Sequence, residues 1–329
     1  MLPEDLVESV NRRVSGIRAC DFVNSISQFH RIQGSKGFLD AIHQMKSEID
    51  TISDVKTEVF EFPADGKSQV GTWTAPFGWF PKSGTLELID PEKEMLADFS
   101  ADPISVVVHS RSGEVEGEVI DVGKGLNPKE LAEMDIKGKI VLTESRAMMV
   151  HRPLIVEGEV AAILTFVPPS GIDEIASLRR YDAFWPKAGE EKKPGLGFSL
   201  RQTDGVKIRN WIKEGKTVRV KGKVDAEVKA GKLGVLSAVI EGEDASKEFW
   251  LIAHVCHPHP GSNDNASGSA SLMEAIRVIS SMIQEGIISK PEISLRFLWV
   301  PEWSGTIELM DKKKDLLKRC KGVLNMDMV

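Results

Sequence analysis

Between Leu251 and Gly268 the chain reads LIAHVCHPHPGSNDNASG, which puts His254, His257 and His259 within six residues and Asp264 between two asparagines. Acids follow two later apolar runs: Glu302 after ISLRFLWVP, and Asp327 in GVLNMD. Imidazole nitrogen and carboxylate oxygen are the donors zinc takes, and a site with three protein ligands keeps a position for water. Such an ion lowers the pKa of a bound water toward about 7. A carboxylate outside the ligand set then takes a proton as the water attacks a carbonyl carbon. His254, Asp264 and Asp327 are the candidate ligands in this reading, and Glu302 the candidate general base. Each also has a plainer reading. His254 could be a hydrogen-bonding residue at a strand end, and Glu302 a surface acid after Pro301. Asp264 could cap the next helix, as could Asn265 or Ser267. Asp327 could sit in a frayed segment. The joint placement of four acid/base or ligand types at strand ends favours metal-assisted hydrolysis. Cys256 reads as a buried inert thiol rather than a nucleophile, because no His-Asn partner pattern accompanies it. His259, between two prolines, reads as loop scaffolding. Trp299 and Trp303 read as core and pocket wall.

The elements that would position these residues come next. LGVLSAVIEG (233–242), FWLIAHV (249–255), ISLRFLWV (293–300) and GVLNMDMV (322–329) read as strands. The stretch 266–286 reads as a helix with Leu272, Ile276, Ile279 and Ile283 on one face, and 307–320 as another. Alternation of strand and helix predicts a parallel α/β sheet, whose ligands bind outside the carboxyl ends of strands. Upstream, Val7, Val10, Val14 and Ile17 fall at helical spacing, as do Phe38, Ile42 and Met45. Residues 57–62 read as a strand and 63–81 as a Gly-, Trp- and Pro-rich loop. From about Ser100 the texture changes to short β-branched segments at 104–110, 113–123, 138–145 and 160–167. A polar loop (168–197), a helix (204–215) and an alternating strand (216–228) complete a module with its own core.

Composition bounds the function. The chain has 329 residues, 41% hydrophobic and 28% charged, with a formal net charge of -7, so nucleic acid is not an expected partner. Three scattered cysteines, Cys20, Cys256 and Cys320, argue against a disulfide framework and for a reducing compartment. MLPEDLVESVNRRVSG lacks the apolar core of a signal peptide, and no apolar run reaches the roughly 18 residues of a membrane span. The expected location is the cytoplasm, with no membrane partner.

FWLIAHV, GSNDNASGSASLMEAIRVI, RFLWVPEWSG and GVLNMDMV resemble the M28 family of zinc aminopeptidases, as does ISQFHRIQGSKGFLDAIHQMKSEI with its Arg-x-x-Gly-Ser stretch. HVCHPH…NDN, PEWSG and GTWTAPFGWFPKSGTLEL are similar to the DUF4910 aminopeptidase-like type. The middle module is similar to the protease-associated (PA) domain inserted in many such peptidases. The resemblance implies an α/β fold: a three-layer α/β/α sandwich with a mixed, mostly parallel sheet, plus an inserted β-rich PA-like domain. The segments are then 1–99 and 229–329 for the peptidase domain and 100–228 for the insert. It implies a peptide or small amide as substrate and one or two Zn2+ ions. His254 would bind metal, Asp264 bridge, Asp327 bind metal and Glu302 act as base. Departures matter as much. The family's His-x-Asp reads His254-Val255-Cys256, so the carboxylate that orients the imidazole is missing. Either Cys256 partly substitutes or His257 adds a ligand. The family's Glu-Glu reads Glu302-Trp303, which removes a ligand of the second metal, and the last family histidine has no counterpart up to Val329. The second site is therefore incomplete, as in a mononuclear variant or a C-terminally truncated chain, with truncation expected. A truncated sheet would expose an edge and favour a homo-oligomer. The same departures keep open a second class: a catalytically inactive peptidase-fold binding or scaffold protein.

Overall fold

The computed structural model describes residues 3–169, 177, 179–186, 189–190 and 195–329; the remainder of the loop read at 168–197 lies outside the described residues. Two compact units form: one from the described residues up to Ala64, Ser68–Trp73 and Lys232–Val329, the other from Asp65–Lys67 and the described part of Thr74–Gly231. Among the described residues no helix is long and apolar enough to cross a membrane.

The first unit runs α1 (Glu4–Asn11), α2 (Gly16–Ser27), α3 (Lys36–Ile49), β1 (Val55–Ala64), β2 (Gly231–Ile240), β3 (Asp244–His254), α4 (Gly268–Gln284), β4 (Ile293–Val300), α5 (Ser304–Lys312), α6 (Lys314–Arg319) and β5 (Cys320–Asn325). These five strands form one sheet in the order β1-β2-β4-β3-β5. β3 is parallel to both β4 and β5, while β2 is antiparallel to β4. Three neighbouring carboxyl ends therefore point the same way.

Apolar residues on both faces of β4 explain the layers. Phe297 and Trp299 join Ile26 of α2, Phe38, Ile42 and Met45 of α3, and Leu272, Met273 and Ile276 of α4 on one face. Leu298 and Val300 join Phe60, Phe62, Val235, Trp250 and Leu309 of α5 on the other. Each such side chain contributes about 1.5–3 kcal/mol on burial, and together they fix the α/β/α order of this unit. α3 starts at Ser35, whose hydroxyl accepts from the Phe38 N–H at 3.1 Å.

Two helical expectations change. The spacing of Val7, Val14 and Ile17 continues across a break: Ser15 caps α2 by accepting from the Arg18 N–H, and Ile17 is 80% exposed. The helix expected at 307–320 is α5 and α6, parted at Lys313, whose φ of -117° and ψ of 48° lie outside the helical range.

At the amino end of β3, Glu248 is buried against Arg296, which donates to Oε2 at 2.6 Å and to Oε1 at 2.8 Å. Trp250 Nε1 donates at 2.8 Å, and Arg319 lies 3.2 Å away. Burial alone would raise the carboxyl's pKa, but the hydrogen bonds and charges of these partners hold it below the usual range. A depressed folded pKa gives stability that is full above the unfolded value of about 4.3 and lost as pH falls through the folded value. Glu248→Gln leaves Arg296 buried without its counter-charge. It is expected to cost about 3–5 kcal/mol in urea unfolding at pH 7 and less at pH 3. Equal losses at both pH values would contradict this account.

The second unit holds a seven-stranded sheet: Glu94–Asp98, Gly78–Asp90, Arg219–Lys229, Gly113–Asp121, Ile140–Thr143, Ala162–Thr165 and Gly197–Ser199, in that spatial order. Pairing is antiparallel as far as Gly113–Asp121 and parallel beyond it. The unit reaches further upstream than residue 100, because Gly78–Asp90 pairs along the whole of Arg219–Lys229. The loop read to residue 81 therefore ends in a strand, which Gly78, Pro81 and Gly84 hide from the alternation pattern. The strand expected at 104–110 is instead a short turn at Pro103–Ser105 followed by isolated bridges from Val106 and Val108. His109, at φ 66°, ends the extended run.

Candidate metal and hydrolytic site

β3, β4 and β5 bring the sequence candidates to one edge of the first unit. His254 is the last residue of β3, in register with Val300 at the end of β4. Glu302 follows two residues later, and Asp327 lies two residues beyond β5. Asp264 arrives on the turn before α4. His254 Nε2 lies 3.1 Å from Asp264 Oδ1 and 3.5 Å from Asp327 Oδ1. Donor atoms of these three residues all fall within 4.8 Å of one another, and a second such group joins His254, Cys256 and Glu302.

The imidazole's orientation replaces what His254-Val255-Cys256 lacks. Its Nδ1 lies 3.2 Å from the Cys256 carbonyl oxygen. A carbonyl only accepts, so Nδ1 carries the proton and Nε2 presents a lone pair. That lone pair faces two carboxylates, a cluster of acceptors that needs a proton or a metal ion at its centre. The distances suit a metal: with bonds of about 2.0–2.1 Å, the edge of a tetrahedron is about 3.3 Å. His254 is buried, whereas the Asp264 and Asp327 side chains are 43% and 39% exposed, so the donors open onto solvent.

The helix-cap alternative goes to Asn265. Its Oδ1 accepts from the Gly268 N–H (3.1 Å) and also from the Met328 N–H (3.0 Å). Its Nδ2 donates to the Met326 carbonyl at 2.9 Å. One buried side chain thus ties down both neighbours of Asp327, while among the described residues the Asp264 carboxylate caps no helix. Ser269 Oγ donates to the His254 carbonyl at 3.0 Å, and Trp299 Nε1 donates to the Ser269 carbonyl.

Glu302 sits on a tight turn. The Ser304 N–H donates to its carbonyl, and Trp303 between them has φ 57° and ψ -62°. This is a γ-turn of the rare, strained kind, at a bulky residue where it costs about 1–3 kcal/mol. Trp303 Nε1 donates to Glu302 Oε1 at 3.1 Å. Gln33 Nε2 donates to the Glu302 carbonyl, and the Glu302 N–H donates to Cys256 Sγ, each at 3.0 Å. Trp299 is core, but Trp303 is 73% exposed and forms no part of it. Burial pushes the Cys256 thiol up to about 12, so it is a neutral packing group and hydrogen-bond acceptor.

The loop 255–261 has a hidden organiser. Arg31 is fully buried, and its guanidinium donates to the carbonyls of Val255, Ile26, Phe29, Pro260 and Gly261. Burial lowers its pKa to about 10, which leaves it charged at neutral pH. His259 is scaffolding: its Nδ1 bonds the Ser27 carbonyl at 2.7 Å, and its N–H donates to His30 Nδ1 at 3.2 Å. Burial first, then neighbouring positive charge, pushes His30 down to about 3, the neutral form that acceptance requires. Arg31 is not among the sequence candidates for the site, and Asn265 is there only as a possible helix cap. The trace each leaves is its type: an arginine in RIQGS among apolar neighbours, and a second asparagine in NDN.

The family described as Domain of unknown function (DUF4910) matches residues 21–329. A Clostridium acetobutylicum protein named for polysaccharide biosynthesis with an aminopeptidase-like domain is 32% identical over 98 residues, which are 30% of this chain and 20% of that protein. The match thus spans about a fifth of that relative. The fold is similar to an aminopeptidase from Aneurinibacillus sp. strain AM-1 (TM-score 0.60, 20% identity, 98% of this chain and 72% of that one). It is similar also to BSAP, a zinc aminopeptidase from Bacillus subtilis (TM-score 0.62, 18% identity, 94% and 69%). A peptidase M28 precursor from Shewanella amazonensis gives 0.62 at 14% identity, over 95% and 71%. These likenesses show the fold: a mixed α/β architecture of the aminopeptidase-like kind, with parallel and antiparallel strand pairs.

Proposed function

The chain belongs to the DUF4910 family, and from that premise we propose that it is a metal-dependent hydrolase of peptide or small amide bonds, acting as an aminopeptidase with zinc as its ion. The observation that carries the reading is the meeting of His254 Nε2, Asp264 Oδ1 and Asp327 Oδ1 beside the Glu302 turn. Names of the similar structures, a zinc aminopeptidase and an M28 peptidase among them, support the choice of chemistry.

In this reading His254, Asp264 and Asp327 hold the ion. Bound zinc supplies a Lewis acid and makes a neighbouring water more acidic. The chain's own residues do the rest. The Cys256 carbonyl keeps the proton on His254 Nδ1, and Asn265 holds Asp327 toward the imidazole. Trp303 fixes Glu302 through Oε1, which leaves Oε2 to take the proton of the attacking water. Glu302 then returns that proton to the amine nitrogen as the carbon–nitrogen bond breaks. In this reading the second unit is the PA-like insert, with a part in substrate access or in partner contact. A reducing, cytoplasmic setting is part of the proposal, on the scatter and odd number of the cysteines along the chain.

Exposed Trp303 beside the base favours a second reading, an inactive peptidase-fold binding protein that uses the indole as a contact. Two measurements separate them. The hydrolase carries near-stoichiometric zinc by elemental analysis and releases nitroaniline from aminoacyl-nitroanilides until a chelator is added. Protein free of metal after growth with zinc, and inert toward a panel of such substrates, would leave only the binding protein.

A further inference from the structure

We propose that Trp303 recognises the substrate's α-ammonium, which rests against the face of its indole beside Glu302. The inference rests on the proposed aminopeptidase reading and names the side chain that selects a free amine.

The backbone, not packing, sets the place of this ring. Trp303 has φ 57° and ψ -62°, a conformation bulky residues rarely adopt. Its neighbours hold it there. The Gly305 N–H donates to the Pro301 carbonyl and the Ile307 N–H to the Trp303 carbonyl, each at 2.9 Å. At residue 305 a Cβ would lie 2.3 Å from Pro301 Cδ, so only glycine lets the chain close this tightly. Strain that the surrounding structure maintains beside a reactive group points to function. Its result here is exposure: Trp303 lies 73% open to solvent, whereas Trp299 is fully buried.

The surroundings select the ligand. Trp303 Nε1 donates to Glu302 Oε1 at 3.1 Å, so the ring's one polar group is taken and its π surface is what remains to meet a ligand. A π face takes an apolar group or a cation. The carboxylates decide between the two. Glu302 is exposed, and the Asp264 and Asp327 side chains are 43% and 39% exposed. Three carboxylates against one divalent ion leave this opening net negative, and the Arg31 guanidinium is buried against backbone carbonyls rather than turned to it. Donation of the indole N–H to a carboxylate also makes the ring face more electron-rich. Glu302 must reach the water that attacks the scissile carbonyl, and the α-ammonium sits one carbon from that carbonyl. The indole next to Glu302 is therefore within reach of the ammonium.

The test compares two nitroanilides that differ in one group: that of L-phenylalanine and that of L-phenyllactic acid, in which a hydroxyl replaces the ammonium. Both are assayed with the full chain supplied with zinc, and wild type is expected to favour the amine in kcat/KM. Trp303→Leu keeps an apolar side chain without a π face. It should lower that preference by about 2–30-fold, which corresponds to the 0.5–2 kcal/mol of a cation over an aromatic ring, and Trp303→Phe should keep most of it. Both variants lose the N–H donor to Glu302, so an effect on the base falls on both substrates alike and cancels in the ratio. A second measurement needs no turnover. In nitrogen-15 spectra of Glu302→Gln with zinc, the indole signal that vanishes on adding Trp303→Phe belongs to Trp303. It should move with L-phenylalaninamide and stay in place with L-phenyllactamide. An unchanged preference in Trp303→Leu, an equal fall in Trp303→Leu and Trp303→Phe, or an indole signal moved equally by both amides or by neither overturns the inference. A wild type that holds no zinc and cleaves neither nitroanilide removes the parent reading instead, and the indole signal still decides whether the ammonium is bound.

Discussion

Glu302→Gln is expected to lower kcat for aminoacyl-nitroanilide hydrolysis by about 10²–10⁴-fold, the usual worth of a positioned general base, while zinc content stays at the wild-type level. Glutamine is isosteric with glutamate and still accepts from the Trp303 indole through its amide oxygen, so the strained turn around residues 302–304 keeps its hydrogen bond. The Gln33 and Cys256 contacts are made by the Glu302 backbone and also survive. What disappears is the lone pair on Oε2 that takes the proton. Since the ion's proposed ligands are His254, Asp264 and Asp327, elemental analysis should not distinguish the variant from wild type. Unchanged kcat would remove Glu302 from the chemistry. A parallel loss of zinc would make it a ligand and reassign the base.

The parts of this site that the sequence reveals are those where a polar donor interrupts an apolar run. His254, Glu302 and Asp327 each follow an apolar strand, buried along β4 but largely exposed along β5, and parallel strands deliver their ends to one edge, so period and order suffice to collect them. Residues that work through the backbone are mostly hidden: the cap of Asn265 on Gly268 is legible as a possibility, its hold on the chain around Asp327 is not. Asn265 acts on Gly268, Met326 and Met328, and Arg31 on five carbonyls, partners that every residue type carries alike. The exposed Trp303 is unreadable for a related reason: an indole in a strongly apolar context suggests core, and only the γ-turn at Glu302 turns it outward. The same limit applies to the fold. Continuous apolar strands such as β4 announce themselves, whereas Gly78–Asp90 is broken by Pro81 and Gly84 and becomes a strand only by pairing with Arg219–Lys229.

Arg31→Met is expected to cost about 3–5 kcal/mol of stability and to weaken metal binding at the same time. Methionine matches the volume of the stem but donates nothing. The carbonyls of Val255 and Ile26 then face a dry interior, where each unsatisfied acceptor costs about 1–3 kcal/mol, and the Pro260 and Gly261 carbonyls lose their donor at part-buried positions, so the loop must open to hydrate the buried pair. Opening releases the His257 backbone from residue 31 and loosens the Cys256 carbonyl that sets the His254 tautomer. Arg31→Lys keeps the charge but not the planar fork, and one ammonium cannot reach acceptors on both sides of the loop. It should fall between wild type and Arg31→Met. Urea unfolding gives the stability order, and zinc calorimetry on the folded fraction gives the coupling. If Arg31→Met were as stable as wild type, the loop would have another anchor. If it were less stable with unchanged zinc affinity, the guanidinium would hold the fold but not the site, and preorganisation of the two histidines would have to come from the strand ends alone.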